Sequence, residues 1–182
     1  GWEPENAMGF SYNSFMYNGG HWKEIRQVGE KFKASYKVGN SQTYTTDWLA
    51  DKAVEFIRQQ DDEPFLFMVS FPDPHTPFRV RAPYNDQFST EDMAIPTSFY
   101  PENVTPSTPH MDGAGNLFAR AKKRKMSPEE YLKWAKAKYL GMVKCIDDNV
   151  GKVIVELKNK GMWDNTVVVF TSDHGQCMGE HA

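Results

Sequence analysis

Thr166-Val167-Val168-Val169-Phe170-Thr171-Ser172-Asp173-His174-Gly175 is the stretch on which the fold turns. Its first five residues are β-branched or aromatic and apolar on both faces, which predicts a covered strand and not a half-solvated one. The strand runs into a loop carrying a carboxylate and an imidazole, at the place where open α/β sheets put their ligand sites. Two readings of Asp173 and His174 stand side by side. They are two ligands of one metal ion, or an Asp that caps the turn beside a His that is merely polar. Met178-Gly179-Glu180-His181 adds a second carboxylate and imidazole, and the spacing does not say whether they face the same point. The pair sits almost at the last residue, so the expectation is a piece of a larger protein.

Phe65-Leu66-Phe67-Met68-Val69-Ser70-Phe71 is a second continuous apolar run of strand length and reads as a central strand. It leads into Asp73-Pro74-His75-Thr76-Pro77-Phe78, where flanking prolines restrict the backbone around His75. Such restriction suits a side chain held in place to donate a hydrogen bond or a proton; the alternative is a surface histidine in a proline-rich turn. Two neighbouring parallel strands would bring both histidine loops to one sheet edge. That coincidence outweighs either motif alone.

Helices fill the spaces between. From Thr46, Leu49, Ala53, Phe56 and Ile57 share a helical face, with Asp47 and Asp51 near the positive end, predicting about four turns before Asp61-Asp62-Glu63-Pro64. Residues 72 to 126 read as a long loop region. Ser127-Pro128-Glu129-Glu130 is a capping box with proline at the first helical position. Leu132, Ala135, Tyr139, Val143, Ile146, Val150, Val153 and Leu157 then continue the helix from 128 to 160, with Gly161 as its stop. At roughly 50 Å it is long enough for a bend near Asn149 or Gly151. Residues 1 to 45 read as loops with short extended pieces. Strand, helical connection and strand in that order predict α/β layering.

The 182 residues suffice for one sizeable core, and 40% hydrophobic residues with a mean hydropathy of −0.64 leave no run of membrane-spanning length. A net charge of −3 argues against a nucleic-acid partner, and Lys122-Lys123-Arg124-Lys125 reads as a solvated loop. Cys145 and Cys177 fit neither a zinc spacing nor a disulfide framework. Cys145 is expected in the core and Cys177 as a buried or half-buried thiol, not as a nucleophile served by His174. Asn103-Val104-Thr105 reads as a chance glycosylation match, and Arg79 and Arg81 as surface charges, with contacts to an anionic sugar as the alternative.

The residues from about 44 onward resemble the sulfatase family of the alkaline-phosphatase superfamily. The resemblance is carried, in family order, by Tyr44-Thr45-Thr46-Asp47, by Phe65 to Phe71 with Pro74-His75-Thr76-Pro77-Phe78, by Asp147-Asp148-Asn149-Val150-Gly151, and by Phe170 to Gly175 with Met178-Gly179-Glu180-His181. Residues 1–43 are similar only loosely. The resemblance implies part of an α/β/α sandwich around a mixed, largely parallel sheet, truncated at both ends. Residues 1–182 would be the central portion of one catalytic domain, loop-rich over 1–43 and recognisable over 44–182. It implies hydrolysis of sulfate esters at a divalent metal, calcium first, with manganese or zinc as alternatives because histidine is a soft ligand for calcium. Asp173 and His174 would be metal ligands, His75 would contact the sulfate or the leaving-group oxygen, and His181 would be a further substrate contact.

The family's nucleophile, a formylglycine made from Cys or Ser in C/S-x-P-x-R, has no counterpart here, since Ser70-Phe71-Pro72-Asp73-Pro74 lacks the arginine and neither cysteine has that context. The chain alone is therefore expected to be inactive. Its implied partner is a sulfated small molecule or carbohydrate, with no nucleic acid, no membrane span, and self-association of the cut chain through exposed apolar edges. Location is open, with a periplasmic or secreted parent favoured by analogy. Two other functions fit the same residues: a metal-dependent phosphodiesterase or phosphonate monoester hydrolase of the same superfamily, and a non-catalytic binding module.

Overall fold

The structure is a computed structural model and describes residues 10, 20–28, 31–61, 63–100 and 113–180. Chain order gives a hairpin of β1 (Lys23–Val28) and β2 (Lys31–Val38), then helices α1 (Thr45–Gln59), α2 (Gly113–Lys123) and α3 (Pro128–Asn159). Single 3-10 turns occur at Tyr84–Asp86, Thr97–Phe99 and Trp163–Asn165. β1 and β2 are antiparallel, with Val28 opposite Lys31 and an irregularity between Lys23 and Ile25. The short extended pieces expected before residue 45 are this hairpin.

α3 is the backbone of the packing. Its start is the capping box read from the sequence: Ser127 Oγ accepts from Glu130 N at 3.1 Å and Glu130 Oε2 accepts from Ser127 N at 2.7 Å. Its end is a Schellman motif, with Gly161 at φ 69°, Gly161 N donating to Lys158 O and Met162 N to Leu157 O. The buried stripe differs from the expected one. It runs through Tyr131, Leu132, Ala135, Met142, Cys145, Ile146, Asn149 and Leu157, while Val143 faces outward. Asn149 could not be read as a core residue from apolar spacing because its burial is bought by hydrogen bonds. At Gly141 a Cβ would meet Tyr84 O at 2.3 Å, so only glycine lets α3 pass the Tyr84–Asp86 turn.

α1 packs on α3 through Ala50, Ala53 and Ile57, close to the face predicted. Its N-cap is Tyr44, whose side chain makes no capping bond because its hydroxyl is engaged elsewhere. α2 lies inside the segment expected to be loop. Among the described residues, Leu117 and Ala121 tie it to the core cluster, and the Phe118 ring lies 6.1 Å from that of buried Phe99. The basic run closes it: Lys125 takes φ 58° while Met126 N donates to Ala121 O, and the Arg124 guanidinium lies 3.9 Å from the Trp134 ring centroid. The core gathers Trp22, Tyr44, Phe78, Val80, Tyr84, Tyr131, Ala135, Met142 and Cys145.

The α/β/α sandwich is not formed by the described residues, whose only sheet is β1–β2. Neither Phe65–Phe71 nor Thr166–Phe170 is a strand. The cause is the absence of a partner: an extended segment becomes a strand only by hydrogen bonding to another. Phe56 stacks on Phe67 at 4.4 Å and meets Phe65 edge-on, while Leu66 (83% exposed) and Met68 (69%) point away. Exposure thus alternates with period two, as on a strand with one face on a helix. Val167, Val169 and Phe170 are also largely exposed. Among the described residues no helix is long and apolar enough to cross a membrane.

Candidate active site

His75 sits on a loop whose stems are buried and whose tip is open. Asp73, Phe78 and Val80 are buried, and His75 N donates to Pro72 O at 3.1 Å to close the turn. Phe78 packs edge-on against Tyr139 of α3, with centroids 6.1 Å apart. The peptide bonds Asp73–Pro74 and Thr76–Pro77 are cis. His75 itself is exposed, and its Nδ1 lies 2.6 Å from Thr76 O. That contact selects the tautomer protonated at Nδ1 and leaves Nε2 without a protein partner among the described residues.

Asp73 is held from below by α1. Its Oδ2 accepts from Tyr44 Oη at 2.8 Å and Thr46 Oγ1 at 2.7 Å. Tyr44 Oη also lies 3.1 Å from Arg79 O. Burial, then the Asp73 carboxylate, pushes the Tyr44 hydroxyl far above its ordinary range, so it stays a donor. His21 Nδ1 approaches Asp73 Oδ1 at 2.5 Å. That approach lacks hydrogen-bond alignment, so the two ring nitrogens and Oδ1 have no hydrogen-bond partner among the described residues and the contact is one of proximity.

Asp47 centres a second buried cluster. Its oxygens accept from Arg81 Nε and Nη2, both at 2.6 Å, and from Asn149 Nδ2 at 3.2 Å, with Lys152 Nζ 3.5 Å away. Arg81 is thus a core partner, correcting its reading as a surface charge, and its hydrogen bond to Asp47 raises its already high pKa. Arg79 is exposed along the chain, its guanidinium 4.4 Å from the Trp22 ring centroid. Cys145 is fully buried as expected, and burial with the nearby Asp47 carboxylate pushes its thiol up to about 12, too high for a nucleophile. Nearby, Asp148 accepts from Tyr84 Oη at 2.9 Å and Lys144 Nζ at 2.5 Å, the lysine doing most to hold its carboxyl below the usual range. Sequence reasoning missed Asp47 and Asp73 as buried polar centres. The one available signal was the cluster of hydrogen-bonding side chains in Tyr44-Thr45-Thr46-Asp47 at a helix start.

Asp173 and His174 lie on an exposed loop after residues 166–170. Asp173 Oδ1 accepts from the adjacent backbone, His174 N, at 2.9 Å. His174 Nδ1 is 2.9 Å from Gly175 O, and its Nε2 is 3.7 Å from Asp173 Oδ2. Two donor atoms at that spacing can share one cation, so the pair fits part of a metal site. No group of three candidate ligands occurs among the described residues. Cys177 is exposed, correcting its expected burial. The turn it opens leans on α3, where a Cβ at Gly179 would meet Leu132 Cδ2 at 2.5 Å. His181 and the Asn103-Val104-Thr105 sequon lie outside the described residues. No hydrogen bond or ion pair joins the His75 loop to the Asp173-His174 loop among the described residues.

The sulfatase family profile matches residues 4–182. The chain belongs to the sulfatase family. The family implies an alkaline-phosphatase-like α/β fold, of which the described residues form the helical part and one hairpin. Among its relatives, the sulfatase chain is 30% identical over 142 residues to a multifunctional alkaline phosphatase superfamily protein, PehA, of Trinickia caryophylli, covering 74% of this chain and 28% of that protein. It is 30% identical over 143 residues to an arylsulfatase of Clostridium perfringens, covering 76% and 28%. It is 28% identical over 181 residues to the N-acetylglucosamine-6-sulfatase of Bos taurus, covering 95% and 30%. The chain spans under a third of the length of these curated relatives.

Proposed function

We propose that residues 1–182 are the central portion of the catalytic domain of a sulfuric ester hydrolase, with its formylglycine nucleophile outside this chain. The observation that carries the reading is His75, an exposed imidazole with Nε2 open on a loop whose stems are fixed in the core. A histidine so held can donate a hydrogen bond to a sulfate oxygen or a proton to the departing ester oxygen. Asp173 and His174 would hold a divalent cation, calcium first and manganese or zinc otherwise, with further ligands from outside the chain. When bound, that ion offsets charge on the sulfate oxygens and activates the nucleophile. His181 is a further substrate contact in this proposal. The names of the arylsulfatase and N-acetylglucosamine-6-sulfatase relatives support a sulfated small molecule or carbohydrate as substrate.

A second reading, phosphodiester or phosphonate monoester hydrolysis, draws support from the PehA relative, whose name places it in the alkaline phosphatase superfamily. The test is turnover of 4-nitrophenyl sulfate against 4-nitrophenyl phosphate by a polypeptide joining this chain to its C/S-x-P-x-R segment. We expect kcat/KM for the sulfate to be at least about tenfold higher, a difference of roughly 1.4 kcal/mol in transition-state binding. Turnover of the phosphate alone would overturn the sulfatase reading, and a complete polypeptide with no C/S-x-P-x-R segment would favour the non-catalytic module. The 182-residue chain by itself is expected to hydrolyse neither ester.

Residues 65–71 and 166–170 are, in the same proposal, strands whose neighbours lie elsewhere in the complete protein. The isolated chain should then associate through them, and light scattering should show oligomers or polydisperse particles. A monodisperse monomer that unfolds cooperatively would count against unpaired strands.

A further inference from the structure

Tyr44-Thr45-Thr46-Asp47 opens α1, and three of its four side chains reach the segment around His75. The Tyr44 hydroxyl is the informative one. Its single proton is directed to Asp73 Oδ2 at 2.8 Å and shared with Arg79 O at 3.1 Å, so one fully buried hydroxyl touches both stems of the loop 74–78. Thr46 adds a second donor to the same Asp73 oxygen, and Asp47 fixes Arg81 two residues beyond the far stem. Against this, the His75 ring has one protein contact of its own, the carbonyl of the next residue. Its location is therefore set by the backbone of residues 72 to 79, and Tyr44 is one of the groups that hold that backbone, beside Thr46 and the packing of Phe78 on Tyr139.

We propose that Tyr44 is a positioning residue that acts through His75, with Asp73 as the intermediary and Thr46 as its second clamp. The proposal rests on the reading of His75 given above. Physical expectation favours a rate effect: displacing an acid or donor by about 1 Å can lower a rate by up to about a hundredfold, with little change in ground-state binding. Removing one of two donors to a buried carboxylate displaces the loop only in part, so the smaller end of that range is expected.

The experiment is a double-mutant cycle in the complete polypeptide, with 4-nitrophenyl sulfate as probe. Tyr44→Phe keeps the buried ring and removes only the hydroxyl. It should lower kcat about tenfold while KM stays within about threefold, and the loss should vanish when His75 is already Ala. An equal loss in both backgrounds would show a structural role for the hydroxyl, overturning the positioning claim while leaving His75 its own. An unchanged kcat in Tyr44→Phe would overturn it as well. If His75→Ala is itself as active as the unsubstituted enzyme, the reading of His75 fails and this proposal falls with it. Should Tyr44→Phe not fold, as read by thermal unfolding, Thr46→Val runs the same cycle, keeping the side-chain shape and removing the other donor to Asp73.

Discussion

Asp47→Ala is expected to destabilise the protein by about 3–5 kcal/mol, the range for removing one member of a buried ion pair. The carboxylate is wholly buried and takes two 2.6 Å bonds from Arg81, a third from Asn149, and the field of Lys152. Three parts of the chain meet there: the start of α1, the strap at residue 81 and the middle of α3. Alanine would leave the Arg81 guanidinium, itself nearly buried, with no anion, and would strand the Asn149 amide bond. The site also lies in the first turn of α1, where a negative charge is favoured by the helix dipole. By contrast, Arg58→Ala breaks an exposed pair with Glu156 and should leave the unfolding midpoint nearly where it was. Urea titration with an unchanged m value is the measurement. A loss at Asp47 no greater than that at Arg58 would mean that the cluster is not what joins the three segments.

The elements legible in the sequence were those specified locally. The α3 start needs four residues and appeared as read, and its Gly161 stop is a backbone requirement that sequence states directly. α1 was legible because its apolar spacing and Pro64 bound it on both sides. Composition predicts covered strands for the two apolar runs, and neither is covered on both faces: Phe65 and Phe67 meet α1 while Leu66 and Met68 are exposed, and Val167, Val169 and Phe170 are largely exposed. What sequence cannot supply is the neighbour that makes a strand, and the described residues do not supply it either. α2 escapes a reading that counts turn-formers, because Gly113 and Gly115 open it and its apolar face is short, made by Leu117, Phe118 and Ala121.

The candidate site divides along the same line. His75 and the Asp173-His174 pair were conspicuous because unusual residues stand beside loop-formers. Their supports were not. Asp73 and Asp47 are hydrophilic letters that become core only when hydroxyls, a guanidinium and an amide arrive from residues 27 to 102 positions away. No pattern of one residue type encodes that pairing. Arg81 was read as surface for the same reason.

His75→Ala in the complete polypeptide is expected to lower kcat/KM for sulfate esters by about 10²–10⁴, the range for loss of a positioned acid or base. The two roles open to His75 predict different patterns across leaving groups. If the open Nε2 delivers a proton to the departing oxygen, the loss should be near the low end for 4-nitrophenyl sulfate, which leaves readily, and near the high end for an alkyl sulfate, which needs the proton. If Nε2 instead donates a hydrogen bond to a sulfate oxygen, the loss should be similar for both, since that contact does not depend on the leaving group. The geometry bears on the choice only through the tautomer. With Nδ1 committed to Thr76 O, a neutral ring has no proton at Nε2, so donation from that atom requires the imidazolium in either role. A His75→Ala variant that keeps its rate on both esters would remove His75 from the chemistry.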